Sequence, residues 1–320
     1  MSASAPAASS GSTGLPPRLI VIVGATGTGK SDLAIELAAA LGGGGRAAAI
    51  VNADAMQLYR GMDIGTAKVP VAERRGIAHH LLDVVDPADE TSVAEYQRAA
   101  RARIEQLQAD GIVPILVGGS GLYVSSVIHD FDFPARDPEL RARLEGELAA
   151  AGAAALHARL AALDAAAAAA IDPANGRRIV RALEVVELTG AFTPGLPEDR
   201  APWQPARIIG LGLERERLIA RLDDRVEAMW ASGLVEEALA LRDGPGLGRT
   251  ASRAIGYAQA LGELDGRLSR EEAIAETQAL TRRYARRQVS WFRRYPGVAW
   301  LDAASPERHQ LALAAAVGED

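Results

Sequence analysis

The run LIVIVGATGTGKS, residues 19 to 31, constrains the fold more than any other stretch of the chain. Leu19 to Val23 is a continuous apolar, β-branched segment of the kind buried on both faces of a sheet. Gly24 to Ser31 fits G-x-x-x-x-G-K-[ST], and Asp32 to Leu41 continues with helical spacing until the glycines at 42–45 break it. A strand, a glycine loop and a helix in succession make a phosphate cradle. Through Gly24, Ala25, Thr26, Gly27, Thr28 and Gly29 the backbone can turn N–H groups toward phosphate oxygens. Lys30 adds a point charge, and Ser31 offers a hydroxyl to Mg²⁺.

The pattern repeats with different loops. AAAIVN at 47–52 leads into Asp54, and IVPILV at 112–117 leads into Gly118-Gly119-Ser120-Gly121, with a helix expected over Val93 to Ala109 between them. Strands alternating with helices predict an α/β fold, a P-loop NTPase-like parallel sheet flanked by helices. Ligands of such sheets gather outside the carboxyl ends of the strands, so the loop, Asp54 and Ser120 are expected to converge. From 134 to 205 the strand signals give way to Ala, Leu, Arg and Glu, including an alanine run at 165–170, which predicts an all-helical insertion. RIIGLGL at 207–213 resumes the core, followed by Leu218, Leu222, Val226 and Met229 at helical spacing. The expected organisation is a disordered tail over 1–17, a discontinuous core over 18–133 and 206–300, the insertion over 134–205, and a trailing segment over 301–320. No internal repeat suggests a solenoid.

Composition narrows the chemistry. The 320 residues include no cysteine and five histidines, which removes disulfides, thiolate zinc sites and a cysteine nucleophile. His79 and His80 are adjacent on an apparent strand and so point to opposite faces, which disfavours joint metal ligation. The first 17 residues lack the charge and apolar core of a secretory signal, and no run is long enough to span a membrane, so a cytoplasmic protein is expected. A formal charge of −6 argues against a whole-surface grip on nucleic acid and leaves room for a local basic patch.

An NTPase also needs a second acid at a strand end to hold Mg²⁺. Here the third strand ends in VGGSGLY without one, and the acid stands instead after the second strand, as Asp54 in NADAMQLY. On spacing alone Asp54 is an Mg²⁺ ligand, a strand-end cap or a base.

With these residues in view, the chain resembles the tRNA dimethylallyltransferase (tRNA isopentenyltransferase) family from Arg18 to Arg294. The resemblance is carried by GATGTGKS at 24–31, NADAMQLYRGMDIGTAK at 52–68, HHLLDVVDP at 79–87, VGGSGLY at 117–123, DPELRARLE at 137–145, RRIVRALEV at 177–185, RAIGY at 253–257 and TRRYARRQVSWFRR at 281–294. It implies Mg²⁺-dependent transfer of a dimethylallyl group from dimethylallyl diphosphate to the exocyclic amine of an adenine beside the tRNA anticodon. The loop then holds a leaving diphosphate, stabilised by Lys30, Mg²⁺ and backbone donors, and Asp54 is the base that relieves the amine of its proton. Ser120 stands where the family usually has Thr, and Ala55 where it commonly has Ser. The resemblance also implies that Gln57, within the Asp54–Gln57 segment that includes Met56, helps hold the extruded base. Arg253 is implied to reach the diphosphate side.

Resemblance makes Arg141 and the stretch Arg177, Arg178, Ile179, Val180 and Arg181 tRNA contacts, although a charged helix face with Arg181 paired to Glu184 explains the same spacing. Near the carboxyl end, Arg282, Arg283, Arg286, Arg287, Arg293 and Arg294 fall within an arc of roughly 140° on a helical wheel. That arc is either a footprint for the phosphates of an anticodon stem-loop or a solvated helix face. A monomer is expected. Two rival readings remain: a nucleotide or small-molecule kinase that binds ATP in the loop, and a non-catalytic RNA-binding protein keeping a relict loop.

Overall fold

The computed structural model describes residues 18–130, 133–134, 136–193 and 201–318. The expected tail over 1–17 lies outside them. In chain order the elements are β1 (Leu19–Gly24), α1 (Lys30–Gly43), β2 (Ala48–Asn52), β3 (His79–His80), α2 (Val93–Ala109), β4 (Val113–Gly118) and α3 (Gly121–Ile128). Then come α4 (Pro138–Leu163), α5 (Ala165–Ala169), α6 (Gly176–Thr189), β5 (Ala206–Gly212), α7 (Arg215–Ala231) and α8 (Leu234–Asp243). The chain closes with α9 (Tyr257–Leu264), α10 (Arg270–Phe292), β6 (Ala299–Asp302) and α11 (Arg308–Val317).

Among the described residues the strands form one six-stranded parallel sheet in the order β3-β2-β4-β1-β5-β6. A parallel sheet covered on both faces needs strands apolar along their whole length, which is how β1 and β4 read. Leu19, Val21 and Val23 face a cluster that takes in Tyr96, Ala100 and Ile104 of α2 and Phe292 of α10. Ile20 and Ile22 face the opposite cluster with Leu33, Leu37 and Leu41 of α1. The chain leaves β1 toward β2 on one side and leaves β4 toward β5 on the other. The loops after β1 and β4 therefore part at the centre of the sheet and open a crevice at its carboxyl edge.

Among the described residues, those between 130 and 201 form one compact unit, and 18–129 with 202–318 form the core. The core thus begins again at Pro202 rather than at the expected 206. The Trp203 N–H bonds the Ile128 carbonyl, and Arg101 lies 4.8 Å over its ring, so 202–205 belong with the sheet. Within the smaller unit α4, α5 and α6 pack around Leu144, Leu156, Leu160, Ile179 and Leu183. The segment after Leu301, expected to trail, instead completes β6 on the sheet edge and forms α11, whose Ala312 is fully buried against the α1 side. Small residues conceal such packing, because alanine carries little hydrophobic signal yet lets a helix approach closely. The helical spacing of Leu218, Leu222, Val226 and Met229 is realised in α7, which ends at Ala231, and Gly233 caps the start of α8.

Candidate active site

The phosphate loop begins where β1 runs out. At Gly24 φ is +147°, and a Cβ there would lie 2.5 Å from the Leu211 carbonyl oxygen of β5, so only glycine lets the loop leave the sheet at this point. The loop is tied down from inside. The Ala25 carbonyl accepts from the Thr28 hydroxyl at 2.9 Å and from Lys30 Nζ at 2.7 Å. Thr26 is held from outside: its N–H donates to Gln288 Oε1 at 2.8 Å and its hydroxyl accepts from Arg225 at 2.8 Å. Thr26 thus anchors the loop and its N–H is not offered to a ligand. Gly27 and Gly29 have N–H groups with no acceptor among the described residues, and Lys30 and Ser31 open α1, where helical N–H groups lack partners by geometry. Together with the positive end of the helix these form the anion site the motif predicts.

Two half-buried cations face it. Burial pushes the Lys30 ammonium down to about 8, with Asp54 opposing and Arg225 reinforcing the shift. Burial likewise lowers Arg225, helped by Arg221 and opposed by Asp54. Positive charge held in poor solvent favours a polyanion, whose own charge offsets the desolvation of the two cations. The sequence reading missed Arg225, which comes from α7, far along the chain.

Asp54 is aimed by Asn52. The buried Asn52 side chain accepts from the Asp54 N–H at 2.9 Å and donates to the carbonyls of Asp54 and Leu81, both at 3.0 Å. Its own carbonyl accepts from Tyr96 at 2.8 Å. An Asn two residues before an Asp at a strand end is an Asx-turn signature, a signal the sequence did carry. The Asp54 carboxylate accepts from the Met56 N–H at 3.0 Å. Burial raises its pKa above the ordinary carboxylate range, and the Met56 N–H, Lys30, the Gln57 N–H and Arg225 pull it part of the way back. A carboxylate with a raised pKa, beside cations and partly open to solvent, has the properties of a general base. Ser120, in the loop after β4, accepts from the Ala55 N–H at 3.2 Å and lies 3.4 Å from the Tyr284 hydroxyl.

Gln57 donates to the Thr66 carbonyl at 3.0 Å and lines a pocket with Ser31, Ile50, Asn52, Val69, His79, Leu82 and Val117. No carboxylate lines that pocket, and among the described residues no group of three His, Asp or Glu can hold a metal. Ser31 at the head of α1 offers one hydroxyl, a hard oxygen donor of the kind Mg²⁺ takes when few protein groups hold it.

The expected polynucleotide contacts divide. Arg286 is exposed, and Arg287 sits 5.8 Å over the Tyr284 ring. Arg282 pairs with Asp223 at 2.5 Å, and Arg293 and Arg294 lie past the end of α10. Arg253 is exposed, with no side-chain bond to the loop among the described residues. In the smaller unit Arg177 and Arg178 are exposed, whereas Arg141 and Arg181 both grip the fully buried Glu184, at 3.2 and 2.7 Å. Ile179 and Val180, expected among the contacts, are 0% and 1% exposed, so their side chains build that unit's core instead.

Comparison with known proteins agrees with this geometry. A tRNA dimethylallyltransferase of Clavibacter sepedonicus is 58% identical over 296 residues, covering 92% of this chain and 96% of that relative. The crystal structure of a full-length tRNA isopentenylpyrophosphate transferase from Bacillus halodurans superposes with a TM-score of 0.66 at 38% identity, over 93% of this chain and 96% of the other. A eukaryotic dimethylallyltransferase captured acting on tRNA gives a TM-score of 0.73 at 28% identity, over 90% and 74% of the two chains. The IPP transferase family model matches residues 57–295, and the chain belongs to that family.

Proposed function

We propose that this enzyme transfers a dimethylallyl group from dimethylallyl diphosphate to the exocyclic amine of the adenine adjacent to the anticodon of tRNA. The observation that carries the reading is the opposition of an anion cradle to a half-buried carboxylate of raised pKa. The cradle offers the Gly27 and Gly29 N–H groups, its cations Lys30 and Arg225 act on Asp54, and the end of β4 carries glycines and Ser120 in place of an acid.

The diphosphate takes up the cradle's donors, and the same groups oppose the negative charge that grows as the allylic C–O bond breaks. Ser31 would hold Mg²⁺, which would supply further positive charge to the leaving group. An adenine amine is a weak nucleophile because its lone pair is shared with the ring. As the new C–N bond forms, the amine proton passes to the Asp54 carboxylate and the diphosphate departs, which balances the step. The adenine must leave its stack to reach Asp54. Gln57, beside the cleft, is a candidate to hold it there. Arg286, Arg287, Arg177 and Arg178 are exposed cations suited to the phosphates of an anticodon stem-loop.

The test offers purified protein an anticodon stem-loop RNA with either dimethylallyl diphosphate or ATP, and reads the RNA nucleosides by mass spectrometry. Addition of one five-carbon unit to a single adenine, dependent on Mg²⁺, is the expected result. Phosphoryl transfer from ATP without prenylation would overturn it in favour of a kinase.

A further inference from the structure

The stretch GMDIGTAK, residues 61 to 68, wraps its backbone around a carboxylate from far along the chain. Glu237 of α8 accepts the N–H groups of Asp63 at 3.2 Å and Gly65 at 3.4 Å on Oε1, and the Ile64 N–H on both oxygens, at 3.1 and 2.9 Å. The Tyr257 phenol of α9 donates to the same Oε1 at 2.5 Å. Burial first, and then the Glu237 charge, hold that phenol above its ordinary pKa, so its proton stays. Three consecutive N–H groups turned onto one anion form a nest, and its occupant here is the protein's own side chain. A Cβ at Gly65 would run into the Tyr257 ring, so the loop lies this close only with glycine there.

The far end of the loop is tied as firmly. Lys68, 8% exposed, has three acceptors for its three ammonium protons: the Tyr59 carbonyl at 3.0 Å, Asp63 at 2.6 Å and Asp83 at 2.5 Å. Its N–H donates to the Asp63 carbonyl at 3.0 Å, and the Ala67 N–H to the Ile64 carbonyl at 3.0 Å. Between these ties Ala67 stands at φ +51°, in the left-handed region that a β-carbon disfavours. A residue keeps such a conformation only where its surroundings over-determine it.

The carbonyls of this loop hold Gln57. Its Nε2 donates to the Thr66 carbonyl at 3.0 Å and reaches the Ala67 carbonyl at 3.5 Å. Both partners can only accept, so the nitrogen end of the amide is turned to the loop. Its Oε1 has no donor among the described residues, and Gln57 therefore meets a ligand as an acceptor.

We infer that Glu237 and Tyr257 are positioning residues: they clamp the backbone of 63–65, and the carbonyls that follow it aim the Gln57 amide. The inference rests on the dimethylallyl-transfer reading, in which Gln57 is the candidate to hold the extruded adenine. Among the described residues the side-chain bonds of Glu237 go to this loop and to Tyr257, so loss of the clamp falls on use of the RNA and spares the diphosphate.

Glu237→Gln keeps the shape and cannot keep the clamp. An amide nitrogen in place of Oε2 sets a donor against the Ile64 N–H, and in place of Oε1 against three N–H groups. The kcat/KM for an anticodon stem-loop RNA should fall about fivefold to tenfold, while KM for dimethylallyl diphosphate stays within about twofold. Tyr257→Phe keeps the ring over Gly65, drops one bond, and should lower the same ratio about twofold to fourfold. Neither substitution should lower it further once Gln57 is replaced by alanine. Losses that multiply with Gln57→Ala, a diphosphate KM that moves with that of the RNA, or a Glu237→Gln ratio within about twofold of the parent would each overturn the inference. The clamp is read independently of catalysis by amide hydrogen exchange in the ligand-free protein. The Ile64 and Gly65 N–H groups should exchange at least about tenfold faster in Glu237→Gln than in the parent, and equal rates refute the clamp. A parent enzyme that never transfers the five-carbon group refutes the function, while the exchange rates still decide the clamp.

Discussion

Replacing Asp54 by asparagine separates the proposed base from every other duty of the residue. The amide oxygen can still accept the Met56 N–H, now made at 3.0 Å, and the backbone N–H that Asn52 holds at 2.9 Å is untouched, so the turn should persist. What disappears is the proton acceptor and one negative charge facing Lys30 and Arg225. General-base catalysis contributes on the order of 10²–10⁴ in rate, about 3–5 kcal/mol of transition-state stabilisation. The rate of a single turnover with labelled dimethylallyl diphosphate and stem-loop RNA should fall by that factor. KM for the diphosphate should stay level or drop, because a carboxylate that competed for the two cations is gone. RNA affinity should hold within about twofold.

The pH profile gives the same prediction its sign. In the parent, activity should fall as acid protonates Asp54, over a limb set above the ordinary carboxylate range because burial raises that pKa. In free enzyme a second, alkaline limb should lie at about 8, where Lys30 loses its proton and the cradle its charge. Asp54→Asn should abolish the acid limb and shift the alkaline limb lower, since Asp54 supports the Lys30 ammonium. Ligand-free Asp54→Asn should also melt higher: a carboxyl whose folded pKa is raised stabilises the fold only at low pH and loses that contribution as pH rises. A drop of less than tenfold, or an acid limb that survives, would refute the assignment of Asp54 as the base.

Substitutions at four other positions probe separate parts of the site. Lys30→Met should remove transfer yet stabilise the ligand-free protein by about 1–3 kcal/mol at neutral pH. The sign follows from a lysine held at about 8 when folded against 10.5 unfolded, so that the parent gains stability as pH climbs between those values and the variant, in urea melts, does not. Arg225→Ala should raise KM for the diphosphate about tenfold in steady-state kinetics, and Arg225→Lys should recover only part, having charge without the planar reach to Thr26 at 2.8 Å. Gly24→Ala should cost about 1–3 kcal/mol in chemical denaturation, because the new methyl meets the Leu211 carbonyl and φ is +147°. Arg286→Ala should weaken stem-loop binding uniformly across RNA sequences and lower the slope of log K against log salt by about 0.7–0.9.

How much of this was legible in the chain depended on how local each feature is. The phosphate loop was readable because glycine placement, strand and helix lie within 26 consecutive residues, 18 to 43, and backbone geometry alone decides the outcome. Asp54 was readable as a strand-end acid, but its role was not, since that role depends on Lys30 and Arg225 arriving from two other elements. Arg225 and Gln288 reach Thr26 across 199 and 262 residues of chain, and no periodicity reports such a meeting. The spacing argument for α10 followed its arginines and passed over Gln288, which shares the buried side with Ala285 and Phe292. The arginine arc was drawn on a helix assumed to continue to 294. The helix stops at Phe292, just before Tyr295-Pro296, a pair whose proline disfavours helical backbone in the preceding residue.

The end of β4 shows why a cradle of this type can serve prenyl transfer instead of phosphoryl transfer. In a phosphoryl transferase a strand-end acid tethers the metal, and the terminal phosphoryl group is what moves. Here β4 lies between β1 and β2 and ends in Gly118, where any side chain would collide with the Ala53 carbonyl. That missing side chain lets the segment after β2 close against β4, and it brings Asp54 to the rim of the crevice one strand away from the usual place of the acid. Displaced there, the carboxylate accepts from backbone N–H groups and feels two cations, and burial raises its pKa against them. It remains able to accept a proton. The cradle, relieved of presenting a phosphoryl group to a nucleophile, needs only to bind the diphosphate and to favour it further as its charge grows. The choice between the two chemistries thus turns on which strand end carries the acid and on a glycine that makes room for it.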